Sequence, residues 1–363
     1  MTKLHELFEL GQSIWYDNIR RALIESGELK ALVDQGVRGV TSNPTIFEKA
    51  IAGSADYDAA IAAMTREGRD AAAVYERLAV EDIRAAADLL RPVYDRAGGS
   101  DGFACLEVSP ALASDTAESV AEARRLFALL DRPNVMIKIP ATAAGIPAIQ
   151  TLIGEGIPIN VTLMFSMAHY EAVAEAYLAG LESLAAAGGN LARAASVASF
   201  FVSRVDGAVD AALAAAGNRQ LQGKIAIANA KAVYERFREI YAGKRWQNLA
   251  VRGARPQRLL WASTGTKNPE YPDTYYVDAL IGEETVNTVP PATLRAFMDQ
   301  GTAAPTLAKA ADAAAGQLAQ LAALDIDLAA LTEKLQRKGL DAFAASFQSL
   351  LDSVAAKQKK LTA

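Results

Sequence analysis

Eight short apolar segments, separated by longer helical ones, constrain the fold of this chain more than any other feature. Most of them are apolar at consecutive positions, which is typical of strands covered on both faces. The segments are SIWYD (13–17), VRGVTS (37–42), FACLEVS (103–109), VMIKIP (135–140), IPINVTLMF (157–165), ASVASFFVS (195–203), RLLWAST (258–264) and, more weakly, ETVNTVP (284–290). Strands that alternate with helices indicate a parallel sheet joined by right-handed crossovers.

Amphipathic helices are predicted between these strands. The segment 115–131 begins at Asp115, places Glu118 three residues later and then repeats apolar residues at helical spacing. The other long helices are predicted at 81–99, 166–189 and 224–243. Pro92 should kink or interrupt the first of these, because proline lacks the N–H that a helix interior needs.

The number of strands favours an α/β fold in which a single (β/α)8 barrel closes, rather than an open sheet. The region from about 305 to 363 shows apolar periodicity without a strand, so it is predicted to be a helical extension that packs on the barrel. No linker divides the chain. We therefore expect one domain over residues 1–363, with additional helices at both ends.

Composition excludes several classes of function. The net charge of −5 provides no overall basic surface for nucleic acid or anionic lipid, so an anionic ligand must be held by a few local cations. Cys105 is the one cysteine, which excludes an internal disulfide framework and a cysteine-based zinc site. His5 and His169 are the two histidines, which argues against a histidine-rich metal site or a Ser-His-Asp triad. The chain shows no signal peptide and no bilayer-spanning segment, which predicts a soluble cytoplasmic protein.

Polar side chains occur at the C-terminal ends of seven predicted strands, where barrel enzymes place their active sites. These residues are Asp17, Asn43, Glu107, Lys138, Asn160 with Thr162, Ser199 with Arg204, and Ser263 with Lys267. Each alone has a structural explanation: Asp17 could cap a helix that begins at Asn18, and Asn43 before Pro44 could turn the chain. Together they predict a convergent site.

Lys138 and Glu107 differ from the others because both lie within apolar strands. Lys138 could extend to water at the strand end, or it could be a desolvated lysine whose lowered pKa leaves a free amine able to attack a carbonyl. Glu107 could be an inert partner of that lysine, or a carboxyl whose raised pKa lets it move protons through water. Spacing leaves both pairs of explanations open.

These residues, in this order, resemble the transaldolases, in particular their longer bacterial type. The resemblance rests on the ordered blocks GVTSNPTIFEKAI (39–51), CLEVSP (105–110), MIKIPAT (136–142), INVTLMFS (159–166), SFFVSRVD (199–206) and WASTGTKNP (261–269). It spans most of the chain. It implies a cofactor-free enzyme of the pentose phosphate pathway that transfers a dihydroxyacetone unit from sedoheptulose 7-phosphate to glyceraldehyde 3-phosphate, giving erythrose 4-phosphate and fructose 6-phosphate.

The resemblance also implies a role for each residue that matches the motifs. Lys138 matches the Schiff-base lysine, Asp17 the acid/base of carbon–carbon cleavage, and Glu107 the group that works through a water held by Thr162. The residues that match substrate ligands are Asn43 and Asn160 for dihydroxyacetone, and Ser199 and Arg204 near the phosphate. Neither a metal nor a cofactor is implied.

One block departs from the family pattern. Many transaldolases carry a second phosphate-binding arginine after the seventh strand, whereas this chain has a longer block with Lys267 in that place, which leaves the alignment of Lys267 and Ser263 open. The fragment GTK lacks the other residues of a P-loop. The alternatives are an aldolase that releases dihydroxyacetone from fructose 6-phosphate, and a non-catalytic sugar-phosphate-binding barrel. The oligomeric state, including a homo-oligomer, is left open.

Overall fold

Eight parallel strands close into a barrel in the computed structural model, which describes residues 2–362. Neighbours along the chain are neighbours in the barrel, and the eighth strand pairs with the first. The strands are β1 (Gln12–Tyr16), β2 (Val37–Val40), β3 (Phe103–Glu107), β4 (Val135–Pro140), β5 (Ile159–Met164), β6 (Ser196–Phe201), β7 (Arg258–Ala262) and β8 (Thr285–Val289). The predicted (β/α)8 class and all eight predicted strands are confirmed, including the weakest.

Helices surround this barrel, as the sequence predicts. Within residues 2–362 they are α1 (Lys3–Glu9), α2 (Arg21–Glu25), α3 (Glu28–Asp34), α4 (Pro44–Ala52), α5 (Asp58–Arg66), α6 (Ala71–Arg96), α7 (Thr116–Leu130), α8 (Gly145–Gly154), α9 (Met167–Ala186), α10 (Ser203–Ala215), α11 (Ile225–Ala242), α12 (Lys244–Ala250), α13 (Tyr275–Ala279), α14 (Pro291–Gln300), α15 (Ala311–Ala322) and α16 (Leu328–Thr362). The predicted cap of α7 is confirmed, because the Asp115 side chain accepts a hydrogen bond from the N–H of Glu118.

Strands β4, β5 and β6 are buried along their whole length, which explains their continuous apolar character. The packing is close enough to require a glycine at position 39 in β2. A Cβ atom there would lie 2.5–2.6 Å from the indole ring of Trp15 on the neighbouring strand. Gly39 therefore lets the largest side chain of β1 pack against the backbone of β2.

The structure corrects one local prediction. Helix α6 is continuous from Ala71 to Arg96 and contains Pro92, so the break that the sequence allows there does not occur, whereas a kink stays a prediction. Leu90 and Val93, on the two sides of the proline, are both buried in the core. Burial of both halves of the helix offsets the missing hydrogen bond, which costs about 3 kcal/mol in an exposed helix interior.

The C-terminal region forms the two helices α15 and α16, as predicted. Residues 305–310, which the sequence also predicts to be helical, lie outside any helix. Helix α16 has 35 residues and contacts α4, α5, α6, α10 and β5, so it lies over the end of the barrel to which the strands point. Although α16 is long, no helix within residues 2–362 is apolar enough to cross a membrane.

The N-terminal end of the barrel contains a buried carboxylate with several partners. Asp101 accepts hydrogen bonds from the hydroxyl of Ser13 (2.5 Å), the indole N–H of Trp15 (2.9 Å) and the guanidinium of Arg38 (2.7 Å), and Arg258 lies 3.4 Å away. Burial alone would raise the pKa of Asp101, but Arg258 and Arg38 outweigh it and lower the pKa below its usual value. This end is held together by a charge network in which both carboxylate oxygens have partners.

Candidate active site

A cavity of about 650 Å³ opens at the C-terminal ends of the strands. Nine of the ten predicted site residues line it: Asp17, Asn43, Lys138, Asn160, Thr162, Ser199, Arg204, Ser263 and Lys267. They come from six different strands or from the segments directly after them. The parallel barrel thus brings together residues that are spread over most of the sequence, as the strand-end argument predicts.

Lys138 lies within β4, and its side chain is only 7% exposed. Its ammonium nitrogen, Nζ, donates a hydrogen bond to the carbonyl oxygen of Ser42 at 2.8 Å and lies 3.4 Å from Oε2 of Glu107. Residues Glu107 and Lys138 are paired directly across strands β3 and β4, which explains why their side chains meet. The lysine is therefore buried beside a carboxyl group, at a position that also borders the cavity.

Glu107, the tenth predicted residue, is not among the residues that line the main cavity. It borders a second cavity of about 120 Å³, which is lined mainly by apolar side chains, among them Tyr75 and Phe347. Burial raises the pKa of Glu107 above its usual value, although the nearby positive charge of Lys138 acts in the opposite direction. Oε2 of Glu107 and Oγ1 of Thr162 are buried and make no hydrogen bond to any described residue. Both oxygens therefore remain able to bind a water or a substrate group.

Asp17 follows β1 and accepts a hydrogen bond from the hydroxyl of Thr41 at 2.7 Å. Burial raises the pKa of Asp17, although the Thr41 hydrogen bond and the charges of Lys138 and Arg204 oppose the shift. The alternative that Asp17 caps a helix is wrong, because the next helix, α2, begins at Arg21. A raised pKa and a place on the cavity wall suit a group that exchanges protons.

Two asparagines are fixed so that each keeps a polar group for a ligand. Asn43 caps α4, because its Oδ1 accepts from the N–H of Ile46 at 3.0 Å; the predicted turn before Pro44 is thus also a helix start. Asn160 accepts from the hydroxyl of Ser199 at 2.7 Å, which fixes the orientation of its carboxamide. The side-chain amide nitrogens of both residues can therefore donate hydrogen bonds to a ligand. That of Asn160 contacts only the sulfur of Cys105, at 3.5 Å.

Three predicted substrate ligands, Arg204, Ser263 and Lys267, line the same cavity. Arg204 is partly buried, and its guanidinium lies 5.2 Å from the ring centre of Phe201. Burial lowers the pKa of Arg204, whereas the charge of Asp17 raises it. Ser263 has a left-handed backbone with φ of 55°, and its hydroxyl lies 2.9 Å from that of Ser203, directly before Arg204. Lys267 is exposed at the rim.

Other residues of the cavity wall were not found from the sequence. Three further cations line it, namely Arg20, Lys49 and Arg295, and the C-terminal helix α16 contributes Phe343. Arg20 is the one of these cations that pairs with a carboxylate, Asp56, at 3.1 Å among the described residues. The mouth therefore carries more cations than acids although the chain is acidic overall, as expected for a site that binds anions. Residues 2–362 contain no cluster of three or more histidine, cysteine, aspartate or glutamate side chains suited to a metal.

A closed (β/α)8 barrel with a buried lysine and titratable carboxyl groups at its C-terminal mouth is the architecture of a barrel enzyme. Residues 14–354 match the sequence model of the family described as Transaldolase/Fructose-6-phosphate aldolase. The chain therefore belongs to this family, and the predictions of the family and of a transferase enzyme are confirmed.

Individual relatives are similar over nearly their whole length. The chain is 49% identical over 353 residues to the transaldolase of Thiobacillus denitrificans, covering 96% of this chain and 98% of the relative. It is 50% identical over 351 residues to that of Neisseria gonorrhoeae (97% and 99%) and 46% identical over 374 residues to transaldolase 2 of Nostoc punctiforme (99% and 98%). These similarities therefore cover nearly the whole of this chain and of each relative.

Proposed function

We propose that this protein is a transaldolase that moves a dihydroxyacetone unit from sedoheptulose 7-phosphate to glyceraldehyde 3-phosphate, giving erythrose 4-phosphate and fructose 6-phosphate. The observation that carries the proposal is the buried Lys138, whose Nζ lies 3.4 Å from Glu107 and borders a cavity rich in cations. A buried amine beside a proton-exchanging carboxyl is suited to form a Schiff base with a ketose carbonyl.

In the first step the neutral amine of Lys138 attacks the C2 carbonyl of the ketose, and the resulting carbinolamine loses water to give an iminium ion. Glu107 supplies the proton that leaves with the hydroxyl group, through a water that bridges it to Thr162. The raised pKa of Glu107 and the unpartnered buried oxygens of both residues support these roles. Hydrolysis of the product iminium reverses the same proton transfers.

In the second step Asp17 takes the proton of the C4 hydroxyl while the C3–C4 bond breaks. The electron pair of that bond moves to the iminium, which becomes an enamine, and the aldose leaves. The acceptor aldehyde then accepts the enamine electrons as the new bond forms, and Asp17 returns the proton to the new hydroxyl. The position of Asp17 on the cavity wall and its raised pKa support this exchange.

Retention of the enamine between donor and acceptor distinguishes transfer from simple release. We assign this retention to Asn43 and Asn160, whose fixed side chains border the cavity and can hydrogen-bond the hydroxyl groups of dihydroxyacetone. Ser199, which the sequence predicts near the phosphate, supports this role because its hydroxyl donates to Asn160. Hydrogen bonds from fixed groups cost less ordering on binding than those from mobile ones. An aldolase that releases dihydroxyacetone is the second candidate, because the family description includes this activity.

The phosphate of the substrate is assigned to Arg204, Ser263 and Lys267. Arginine can bind two phosphate oxygens with its planar fork, whereas an ammonium group acts as a point charge. The exposed rim position of Lys267 supports a contact with a phosphate that remains partly in water.

The direct test is a transfer assay with fructose 6-phosphate and erythrose 4-phosphate, which measures glyceraldehyde 3-phosphate formation. Transaldolase predicts turnover that depends on the acceptor, whereas an aldolase would release free dihydroxyacetone without it. Borohydride reduction in the presence of fructose 6-phosphate should attach the substrate carbon skeleton to Lys138. Peptide mapping that finds this lysine unmodified would contradict the Schiff-base assignment, and absence of both activities would favour the non-catalytic barrel.

We also propose that the barrel and its C-terminal helices form one domain, since α16 packs against both the helices and the strands of the barrel. Cytoplasmic location, a homo-oligomeric state and the lack of nucleic-acid binding remain predictions from the sequence. Phosphorylated sugars carry charge that hinders passage through membranes, which is consistent with an enzyme kept in the same compartment as its substrates.

A further inference from the structure

The C-terminal helix α16 places one buried polar side chain against the strands that carry the site. Gln336 is only 8% exposed, and its single amide nitrogen donates to two backbone carbonyl groups. The acceptors are the carbonyl oxygen of Ala141, at 2.9 Å, and that of Leu163, at 3.1 Å. Ala141 directly follows β4, which carries Lys138, and Leu163 lies in β5 next to Thr162. One side chain thus connects the ends of both strands.

The backbone at Leu163 needs such a connection. Leu163 has a φ of 60°, in the left-handed region, which costs a non-glycine residue about 1–2 kcal/mol. The pairing of β5 with β6 also shifts its register between Val161 and Met164, so the sheet alone does not fix this stretch. A strained backbone conformation persists only where its surroundings hold it in place. Here the hydrogen bond from Gln336 to the Leu163 carbonyl is one of the contacts that do so.

Residues one turn away on α16 hold the same segment. Glu333 accepts a hydrogen bond from Nε2 of His169 at 2.7 Å, while Nδ1 of that histidine accepts from the N–H of Phe165 at 3.2 Å. On the other side, Gly339 packs so closely that a Cβ atom would lie 2.9 Å from Cδ2 of Leu163 and 3.8 Å from Nη1 of Arg204. Successive turns of α16 therefore contact the segment 163–169 at three points. Gly339 packs on the side chain of Leu163, Gln336 bonds to its carbonyl group, and Glu333 bonds to His169 in the following helix.

We propose that Gln336 is a positioning residue for the reaction: through the carbonyl groups of Ala141 and Leu163 it sets the separation of the strand ends that carry Lys138 and Thr162. The proposal rests on the transaldolase assignment above and adds a role for the C-terminal helix. The bond-making groups need their geometry held closely, because a displacement of about 1 Å can cost about a hundredfold in rate. Gln336 touches neither substrate nor reacting atoms, so its effect must act through these strands.

The first test compares Gln336→Leu with Gln348→Leu. Both remove a carboxamide from α16, but Gln348 is exposed and bonds only to Asp352 of the same helix, at 2.9 Å. In the transfer assay we expect Gln336→Leu to lower kcat up to about a hundredfold with KM within about threefold, as misplacement of reacting groups predicts. Gln348→Leu should match the wild type. Equal kcat values for the two folded variants would overturn the proposal.

A charge variant adds a readout that a purely structural role would not change. In Gln336→Glu the carboxyl can donate to one carbonyl only when it is protonated, and the ionised form would repel both. The ratio of the variant's kcat to that of the wild type should therefore fall as pH rises from about 5.5 to about 8.5, across a carboxyl pKa raised by burial. A ratio that stays constant over this range would contradict the proposal.

A comparison of two glycine substitutions, Gly339→Ala and Gly316→Ala, tests the proposal even if Gln336→Leu does not fold. Gly339→Ala should push α16 away from Leu163 and lower kcat about tenfold, since even sub-ångström shifts are felt at the reacting groups. Gly316→Ala, in α15, meets no atom within 4 Å and should leave kcat unchanged, while both changes favour the helix by about 1 kcal/mol. Unchanged kcat in Gly339→Ala would overturn the proposal. Failure of the transaldolase assignment would be distinguishable, because the wild-type protein would then show no acceptor-dependent transfer.

Discussion

The two ends of the barrel each bury acidic side chains, but the pKa values of these side chains shift in opposite directions. At the N-terminal end Asp101 is surrounded by Ser13, Trp15, Arg38 and Arg258, and its pKa is lowered. At the C-terminal mouth Glu107 has one cation, Lys138, 3.4 Å from its Oε2, this oxygen accepts no hydrogen bond from any described residue, and the pKa of Glu107 is raised. In the same fold, both oxygens of the Asp101 carboxylate have hydrogen-bond or ionic partners, whereas Oε2 of Glu107 accepts no hydrogen bond from the described residues.

This difference separates stability from reactivity. A carboxylate with several hydrogen-bond donors and two guanidinium groups is held in its charged form, so it stabilises the fold and exchanges protons poorly. Burial of a carboxyl with few partners disfavours its charged form and raises its pKa, which makes it a better proton donor. The structure therefore predicts that substitutions at the mouth reduce turnover and that substitutions at the base reduce stability.

The largest effect is expected for Lys138→Met, because the substitution removes the nucleophile. Transfer should fall by at least about 10⁴-fold, equivalent to about 5 kcal/mol in activation free energy, while thermal unfolding shows that the protein folds. Lys231→Met is the control: this partly buried lysine bonds only to the carbonyl groups of Thr306 and Lys309 and should retain turnover. Near-normal transfer by folded Lys138→Met would remove the Schiff base from the mechanism.

The next effect concerns the base of the barrel. Asp101→Asn leaves Arg38 and Arg258 buried without their counter-charge, so the free energy of unfolding should fall by about 3–5 kcal/mol in urea denaturation. The kcat of the folded fraction should stay within about twofold of the wild type, since the site lies at the other end. Asp88→Asn, which breaks the exposed pair with Arg132, should cost less than about 1 kcal/mol. Equal losses in the two variants would contradict the comparison.

Glu107→Gln should show the reverse pattern. The neutral amide keeps the shape of the side chain but no longer transfers a proton, so kcat should fall by about 10²–10³-fold. The free energy of unfolding should change by less than about 1 kcal/mol, because the charged form of Glu107 is itself disfavoured by burial. Steady-state kinetics and urea denaturation on one preparation test both expectations. A variant that loses stability but keeps its turnover would make Glu107 a structural residue like Asp101.

A smaller effect is expected at the phosphate position. Arg204→Ala removes charge-assisted hydrogen bonds worth about 1.5–3 kcal/mol, so KM for phosphorylated substrates should rise by about ten- to a hundredfold. KM for unphosphorylated dihydroxyacetone should change little, and Arg204→Lys should recover part of the loss by restoring the charge. Equal changes with and without the substrate phosphate would place Arg204 elsewhere in the mechanism.

The smallest effect is the pH dependence of stability. The lowered pKa of Asp101 gives a contribution that is present above the ordinary carboxyl range and is lost as pH falls through the folded-state value. The raised pKa of Glu107 gives the opposite sign: its contribution is complete below about pH 4.3 and is lost as pH rises toward the folded-state value. Urea midpoints should therefore decline less on acidification in Asp101→Asn, and less toward neutrality in Glu107→Gln. Parallel curves for both variants would contradict the assigned shifts.

The order of strands and the residues at their ends could be predicted from the sequence because each depends on a local pattern. Lys138 is noticeable because it interrupts an apolar run, and its neighbours at other strand ends follow from the parallel barrel. Arg295 and Phe343 could not be found in this way, since both lie in helices and reach the cavity only through tertiary packing. Gln336 could not be found either, since its burial on α16, between Thr332 and Phe343, is a property of the folded protein.

The helix through Pro92 and the alternative role for Asp17 show the limits of local reasoning. Proline in a helical pattern lowers the stability of the isolated helix, but burial of Leu90 and Val93 outweighs this cost in the folded protein. Asp17 has the chemistry of a capping residue, yet its carboxylate accepts a hydrogen bond from Thr41, directly after the next strand, β2. Both outcomes depend on partners that are distant in sequence or on burial that the local pattern does not specify.

Cys105 lies inside the barrel between two groups of the candidate site, with its carbonyl bonded to Ser42 and its sulfur contacted by Asn160. Burial raises the pKa of its thiol to about 12, so almost none of it is the reactive thiolate at neutral pH. Because it is the one cysteine of the chain, thiol-alkylating reagents and peroxide find no reactive thiolate to modify. Carbon transfer by this protein should therefore continue under oxidative stress that inactivates enzymes with thiolate active sites.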